Sequence, residues 1–230
     1  MDFAVKTHRI NGIDLTISDH FASKTTDIIA SELNQDCYKF SQMAFSENDN
    51  VIDVGGHVGM VSIFLAKKYP FINIYSFEPC PGNYHNFLKN IELNQVKNIH
   101  LYNKAVTKDG RKLLMALHCS NTGGATSQME ASKMINYYTH QVDSIDLDKF
   151  LEETGIEKCK LLKIDCEGSE YEILLNLRRL GIFEYLTGEV HLNAHLSSQG
   201  YSLDTLYKHC QAFIKPENIT FVPCSKFDCL

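Results

Sequence analysis

The sequence predicts one large α/β domain built on a doubly wound, mostly parallel β-sheet. Three observations support this class. Short apolar runs without alternation are typical of strands covered on both faces. Segments with helical spacing separate these runs, and such alternation produces a parallel sheet with helices on both sides. The chain has 230 residues, 44% of them hydrophobic, which is enough for a single sizeable core.

The elements follow in a regular order after an N-terminal extension predicted over residues 1–45, and the main domain is predicted over 46–230. The extension contains a hairpin turning at Asn11-Gly12 and a helix beginning near Thr26. Later strands are predicted at 51–54 and 72–77 and within 98–106, 111–118, 137–147, 159–168, 183–192 and 219–224, and helices at 58–68, from Pro81 onward, and within 146–153, 169–181 and 202–214.

The stretch VIDVGGHVGM, residues 51–60, runs from a buried strand into three glycines and then a helix. Backbone N–H groups are unpaired at a helix N-terminus, and glycine lets a ligand come near, so the turn indicates a nucleotide-like ligand. A dinucleotide fingerprint would place glycines at His57 and Met60, so NAD is disfavoured. A tight turn without a ligand is the alternative.

Acidic and polar residues follow successive predicted strands. Glu78 ends the second strand of the parallel unit, at the separation from the glycine turn where an acid reaches ribose hydroxyls; a helix cap is its alternative role. Because ligands collect beyond the carboxyl ends of parallel strands, we expect these residues to converge on one rim. They are Asp53 and Gly55, Glu78, Ala105, Asp165 and Glu167, and Glu189 and His191.

Four segments together resemble the FkbM-type family of S-adenosylmethionine-dependent methyltransferases over roughly residues 45–195. They are VIDVGGHVG, FEPCPGNYHNFLKNIELN, LLKIDCEGSEYEIL and EVH, and the phrase K-I-D-x-E-G-x-E, Lys163 to Glu170, is the most particular. The resemblance implies a Rossmann-like class I methyltransferase fold with S-adenosyl-L-methionine as cofactor. His57 departs from the third glycine of generic class I enzymes, and FkbM-type sequences tolerate Asn or His there.

The resemblance also implies how the cofactor is bound. Asp53, Gly55 and Gly59 would cradle its methionine end, Glu78 its ribose, and residues around Lys104 and Ala105 would face the adenine. The full predicted cofactor-binding set is Asp53, Gly55, Gly56, His57, Gly59, Glu78, Pro79, Asn83, Lys104, Ala105 and Asp165.

The predicted catalytic residues are Asp165, Glu189 and His191, and the predicted substrate-binding residues are Glu167, His191 and His195. His191 with an ordinary pKa could accept a proton at neutral pH, and Glu189 is the alternative base. Asp165 could instead be a helix N-cap, and Glu167 and Glu170 mere first-turn charges.

No metal is predicted, although Glu189, His191 and His195 have ligand character; the segment HLNAHLSSQG also reads as an ordinary polar loop. The polar segment CSNTGGATSQ, residues 119–128, is predicted to lie over the rim, either closing over a ligand or forming a plain hairpin turn.

Composition narrows the class of protein. The net charge of −6 lacks the basic footprint of a nucleic-acid binder, and no apolar stretch reaches the roughly eighteen residues of a membrane span. We therefore expect a cytoplasmic protein with reduced cysteines, a zinc site at Cys224 and Cys229 being the alternative.

The predicted function is O-methylation of a hydroxyl on a small natural product or carbohydrate. An NAD-dependent dehydrogenase or epimerase and a non-catalytic nucleotide-binding or scaffold protein are the alternatives. The expected partner is a small-molecule acceptor, without nucleic acid or membrane, and the oligomeric state stays open.

Overall fold

The computed structural model describes residues 3–118, 121–127 and 138–223. Its centre is a six-stranded sheet in which every neighbouring pair is parallel. From one edge to the other the strands are β13 (Ile219–Pro223), β12 (Phe183–Val190), β11 (Cys159–Ile164), β3 (Asn50–Val54), β4 (Asn73–Phe77) and β5 (Ile99–Tyr102). The strand order reverses between β3 and β11, which is where ligands bind in open α/β sheets.

Helices cover both faces of this sheet, so the predicted doubly wound α/β class is confirmed. The described helices are α1 (Thr25–Asn34), α2 (Met60–Lys68), α3 (Pro81–Asn94), α4 (Leu147–Glu153), α5 (Glu170–Asn176), α6 (Ala194–Ser198) and α7 (Leu203–Gln211). Successive strand residues point to opposite faces. Val51 and Leu161 therefore pack with α1, α2 and α3, whereas Ile52 and Leu162 pack with α4, α5 and α7.

The predicted N-terminal hairpin is confirmed as β1 (Phe3–Ile10) paired with β2 (Ile13–His20). Asn11 and Gly12 both have positive φ, at 47° and 86°, as a two-residue hairpin turn with right-handed strand twist requires. The hairpin is fixed to α3 by Asn90, whose side chain bonds the N–H and C=O of Ser18 at 2.7 and 3.0 Å. The boundary predicted at residue 45 stays a prediction, although the hairpin shares a hydrophobic core with β3 and α2.

A smaller antiparallel sheet lies beside the main one, in the order β8 (Asn121–Thr126), β7 (Leu113–His118), β9 (Tyr138–Val142). Two more short strands, β6 (Ala105–Thr107) and β10 (Ser144–Asp146), form a separate parallel pair. The single strand predicted over 98–106 is therefore wrong. The Asn103 side-chain amide donates to the carbonyl groups of Glu78 and Pro79, which ends β5 at Tyr102 and lets Ala105 begin β6.

Three other features of the secondary structure differ from the prediction. Helix α5 ends at Asn176 because the N–H groups of Arg178 and Arg179 donate to the Asp148 carboxylate at 3.0 and 2.9 Å. The predicted polar loop after β12 contains α6, whose N-cap Asn193 accepts from the Leu196 N–H at 2.9 Å. The segment 119–128 contains strand β8 where a loop was expected, and Cys119, Ser120 and Gln128 lie outside the described residues.

Cys224 and Cys229 also lie outside the described residues. Of the helices within 3–118, 121–127 and 138–223, none combines the length and the apolar character needed to cross a membrane.

Candidate active site

A cleft opens beyond the carboxyl ends of β3, β4, β11 and β12, with α1 and the small sheet forming its other walls. The space between these elements is about 1090 Å³ when the part open to solvent is included. Of the residues predicted to form the site, ten line it: Gly55, His57, Glu78, Pro79, Asn83, Lys104, Ala105, Asp165, Glu167 and Glu189. Five others are placed differently: Asp53, Gly56, Gly59, His191 and His195.

Side chains at the three glycines after β3 would clash with other atoms of the protein. A Cβ on Gly55, whose φ is +82°, would lie 1.7 Å from the carbonyl oxygen of Asp165. A Cβ on Gly56 would lie 2.4 Å from Ser76 Oγ, and one on Gly59 would meet the Phe87 ring at 2.2 Å. The absent side chains at Gly56 and Gly59 thus leave room for Ser76 of β4 and Phe87 of α3. Direct contact of either glycine with a cofactor stays a prediction.

Asp53 lies beneath the cleft. Its Oδ2 accepts from the hydroxyls of Ser62 and Ser76 at 2.6 and 3.1 Å, and its Oδ1 is 3.2 Å from Lys163 Nζ. The buried Lys163 also donates to the Gly55 carbonyl at 2.8 Å. Burial lowers the pKa of Lys163, but the carboxylates of Asp53 and Asp165 raise it by a larger amount. The pKa therefore lies above its ordinary value, and the ammonium is charged. Asp53 and Lys163 thus hold the glycine turn in place.

Glu78 lines the cleft although only 4% of the residue is exposed. Its Oε2 accepts from the His57 N–H and its Oε1 from the Cys80 N–H, both at 2.8 Å, with Asn83 Nδ2 at 3.4 Å from Oε1. Burial raises the pKa of Glu78 to about 7, although these hydrogen bonds lower it. A carboxylate fixed in this way keeps further lone pairs for a pair of ligand hydroxyls.

His57 connects the glycine turn to the small sheet. Its Nε2 lies 2.9 Å from the Thr122 hydroxyl, which also contacts Ser23 Oγ at 3.0 Å and Asp19 Oδ1 at 3.2 Å. Asn83 Nδ2 donates to the Thr122 carbonyl at 2.8 Å. The predicted position of the 119–128 segment over the rim is confirmed for its described part, since Gly123 and Ala125 line the cleft.

The K-I-D-x-E-G-x-E phrase forms a tight turn organised by Glu170. This residue is fully buried, and its carboxylate accepts from the N–H groups of Cys166 and Gly168 at 2.8 and 2.9 Å. Glu167 consequently adopts a φ of +55°, which is uncommon outside glycine and costs energy. The N-cap of α5 is Ser169, so Asp165 is not the cap of this helix and Glu170 is more than a first-turn charge.

His191 lies behind the rim with its side chain 7% exposed. Its Nδ1 is 3.3 Å from Glu170 Oε1, and its Nε2 is 3.4 Å from Glu189 Oε2 and 3.6 Å from Glu167 Oε2. Burial lowers the pKa of His191, but the carboxylates of Glu170, Glu189 and Glu167 raise it by a larger amount. The pKa therefore lies well above its ordinary value. An imidazolium has no lone pair, so the structure argues against the predicted role of His191 as a general base.

Glu167 is better placed for proton transfer, because it lines the cleft and its side chain is 20% exposed. Burial raises the pKa of Glu167 to about 8, while the neighbouring His191 lowers it and three carboxylates raise it. A carboxylate with a pKa close to neutral pH is a stronger base than an ordinary glutamate.

The side chains of Asp165, Glu167 and His191 offer ligand atoms within 4.8 Å of one another, a grouping that could hold a metal ion. The pairing of a protonated His191 with carboxylates accounts for the same grouping. His195 is not part of it: its Nε2 lies 3.0 Å from the side-chain amide of Gln199, the residue that follows α6. The alternative set of Glu189, His191 and His195 is therefore not the one that the fold assembles in the described residues.

Sequence reasoning missed the contribution of the N-terminal extension. Glu32 and Tyr38 line the cleft, and the Tyr38 hydroxyl donates to Glu32 Oε2 at 2.8 Å. Burial raises the pKa of Glu32 to about 7. One signal was available: Ile28 and Ile29 widen the apolar stripe of α1 beyond its buried Leu33, and both line the cleft.

Comparison with known proteins agrees with this geometry. The model of the "Methyltransferase FkbM domain" family matches residues 53–212. Among curated relatives, Methyltransferase 1 of Beauveria bassiana is 28% identical over 157 residues, covering 61% of this chain and 62% of the relative. Methyltransferase sdnD of Sordaria araneosa is 25% identical over 174 residues, covering 60% of this chain and 63% of the relative.

The chain therefore spans somewhat under two thirds of the length of these relatives. Among solved structures, a precorrin-6y C5,15-methyltransferase from Geobacter metallireducens aligns with 13% identity over 78% of this chain and 68% of that chain, at a TM-score of 0.40. The family model covers more than half of the sequence and includes Glu78, Glu167, Glu170 and His191. The chain belongs to the family of FkbM methyltransferase domains.

Proposed function

We propose that this chain binds S-adenosylmethionine in the cleft and methylates a hydroxyl group of a small acceptor, a natural product or a carbohydrate. One observation carries the proposal. A buried, hydrogen-bonded glutamate at the end of β4 shares a cleft with the cluster of carboxylates that follows β11 and β12. The family to which the chain belongs and the names of both curated relatives support methyl transfer; the hydroxyl acceptor is our own proposal.

The residues of the cleft fit the cofactor. Glu78 offers lone pairs to the two ribose hydroxyls, and it is kept in position by the N–H groups of His57 and Cys80. Next to it, the apolar side chains of Phe77, Val106 and Met115 provide a wall suited to a planar base. When bound, S-adenosylmethionine supplies a methyl group on a sulfonium that needs no further activation.

The protein's own part is then to hold the acceptor and take up its proton. We propose Glu167 as the base: its carboxylate would receive the proton of the acceptor hydroxyl, while S-adenosylmethionine would supply the methyl group and leave as S-adenosylhomocysteine. Positioned general bases contribute about 10²–10⁴-fold to rate. His191 and Glu170 fix the turn that carries Glu167, while Asp165 and Glu189 line the space beside it.

Calorimetric titration tests the cofactor assignment. We expect micromolar binding of S-adenosylhomocysteine and no heat with NAD. Binding of NAD would favour a dehydrogenase or epimerase, and binding of neither would favour a non-catalytic protein.

The methylation itself is tested with radiolabelled S-adenosylmethionine and a small-molecule extract of the organism that encodes the protein. We expect label in a product whose mass has increased by one methyl group on oxygen. A product methylated on nitrogen or carbon would contradict O-methylation while leaving the cofactor assignment intact.

A further inference from the structure

Glu32 reaches the cleft from α1, in the part of the chain that precedes the family match at residues 53–212. Its position is tied to the main sheet through Tyr38. The Tyr38 hydroxyl donates to Glu32 Oε2 at 2.8 Å, and the Tyr38 carbonyl accepts from the buried Thr187 hydroxyl of β12 at 3.1 Å. Glu32 is therefore held at the end of the cleft next to β11 and β12, near the carboxylates of Asp165 and Glu189.

The carboxylates at this end differ in their partners. Asp165 lies 3.7 Å from Lys163 Nζ, and Glu167 and Glu189 lie 3.6 and 3.4 Å from His191 Nε2. Both of these cations stand behind the rim. In the described part of the chain, Glu32 is paired with no cation, and the neutral hydroxyl of Tyr38 is the hydrogen-bond donor to it.

The surroundings of Glu32 also disfavour an anionic acceptor. Of the basic side chains that line the described cleft, Lys104 belongs to the end proposed for the adenine, and His57 is buried with a lowered pKa, chiefly because of burial. Carboxylates gathered in a partly desolvated space repel one another, and an ammonium group entering beside Glu32 offsets that repulsion and donates hydrogen bonds.

Building on the proposed function, we infer that Glu32 binds a protonated amine of the acceptor, which is then an amino alcohol or an amino sugar methylated on its hydroxyl. Glu32 would select the acceptor, while Glu167 handles the proton of the reacting hydroxyl.

The test uses the same extract before and after treatment with N-hydroxysuccinimidyl acetate, which acetylates amines in preference to hydroxyls and removes their charge. We expect methyl transfer by the full chain to fall by about tenfold or more after this treatment, the loss of one charge-assisted contact. Undiminished transfer to the acetylated extract would overturn this inference and leave the proposed function standing. No transfer to the untreated extract would contradict the proposed function, and this inference with it.

The variant Glu32→Gln provides the second arm. We expect the KM for the fractionated acceptor to rise about tenfold or more, with kcat and the affinity for S-adenosylmethionine within about threefold. Asp27→Asn is the matched control, because Asp27 lies on the same helix, pairs with Lys6 at 2.8 Å and does not line the cleft. If Glu32→Gln lost more affinity for S-adenosylmethionine than for S-adenosylhomocysteine, each relative to the wild type, the inference would be overturned. Glu32 would then serve the sulfonium.

Discussion

The two ends of the cleft hold their carboxylates in different ways. At the β4 end, Glu78 is fixed by two backbone N–H groups and lies in an otherwise mostly apolar wall. At the β11 and β12 end, Asp165, Glu167 and Glu189 surround two buried cations, Lys163 and His191. A carboxylate held by neutral donors is suited to recognising hydroxyl groups, whereas carboxylates coupled to one another and to cations respond to the gain or loss of a proton.

Substitution of Glu167 is expected to have the largest effect. Glu167→Gln preserves the shape of the side chain and removes the proposed base, so kcat should fall by about 10²–10⁴-fold with little change in affinity for S-adenosylhomocysteine. Because the active form is ionised and the pKa is about 8, wild-type kcat/KM should rise with pH through that value and then level off. The variant should lack this rise. Glu153→Gln, exposed on α4, is the control, and a variant with wild-type kcat would remove Glu167 from the proposal.

Glu170→Ala comes next, because it removes the acceptor for two backbone N–H groups and a buried imidazolium. Leaving a buried charge with fewer partners costs about 3–5 kcal/mol, measurable by urea unfolding. Glu153→Ala, at an exposed position, should change the free energy of unfolding by no more than about 0.5 kcal/mol. Equal stability of the two variants would show that the turn does not depend on Glu170. Glu170→Gln retains an acceptor oxygen and should be the milder change.

At the other end of the cleft, Glu78→Ala should weaken binding of S-adenosylmethionine by about ten- to a hundredfold, since charge-assisted hydrogen bonds contribute roughly 1.5–3 kcal/mol each. Titration calorimetry of the folded variant measures this directly. Glu92→Ala is the control, because Glu92 is exposed on α3 and does not line the cleft. Its affinity for S-adenosylmethionine should equal that of the wild type. An unchanged affinity in Glu78→Ala would mean that the β4 end does not recognise the ribose.

The smallest expected effect concerns pH and stability. Burial raises the pKa of Glu78 to about 7, above its unfolded value, so the folded state retains its proton longer than the unfolded state does. Stability should therefore fall as the pH rises from about 5 to 8, by at most about 1.4 kcal/mol for each pH unit that separates the unfolded and folded pKa values. The fall should be smaller in Glu78→Gln. Parallel unfolding curves for the two proteins across this range would contradict the raised pKa.

The parts of the site that sequence predicted are those set by strand ends. Glu78, Asp165 and Glu189 could be located because parallel strands bring their carboxyl ends to one edge. The raised pKa of His191 could not be predicted, since it depends on three carboxylates supplied by one turn and one strand. Glu32 was missed for a related reason: α1 reaches the cleft through the packing of a segment that carries no strand of the main sheet.

In the fold, too, features set by a local sequence pattern could be predicted, whereas those set by contacts with distant residues could not. Short apolar runs located the six central strands, because burial on both faces leaves a pattern in the sequence itself. The end of β5 and the start of β6 were misplaced, since they depend on one side-chain amide, that of Asn103, bonding to a neighbouring segment. The end of α5 was misplaced because it depends on Asp148, which precedes Arg178 by 30 residues.

The contacts of Thr122 have a consequence for the order in which the molecule assembles. They join residues that lie 65, 99 and 103 positions apart along the chain. In the central sheet, by contrast, β4 pairs with β3 and β5, and β11 pairs with β12, between residues that are 23 to 25 positions apart. Closing such long loops costs chain entropy before the contacts repay it, which places them late in folding. We therefore expect the amide hydrogens of β8 to exchange with solvent earlier than those of β3 and β4, so that the cleft loses its cover while these strands beneath it are still paired.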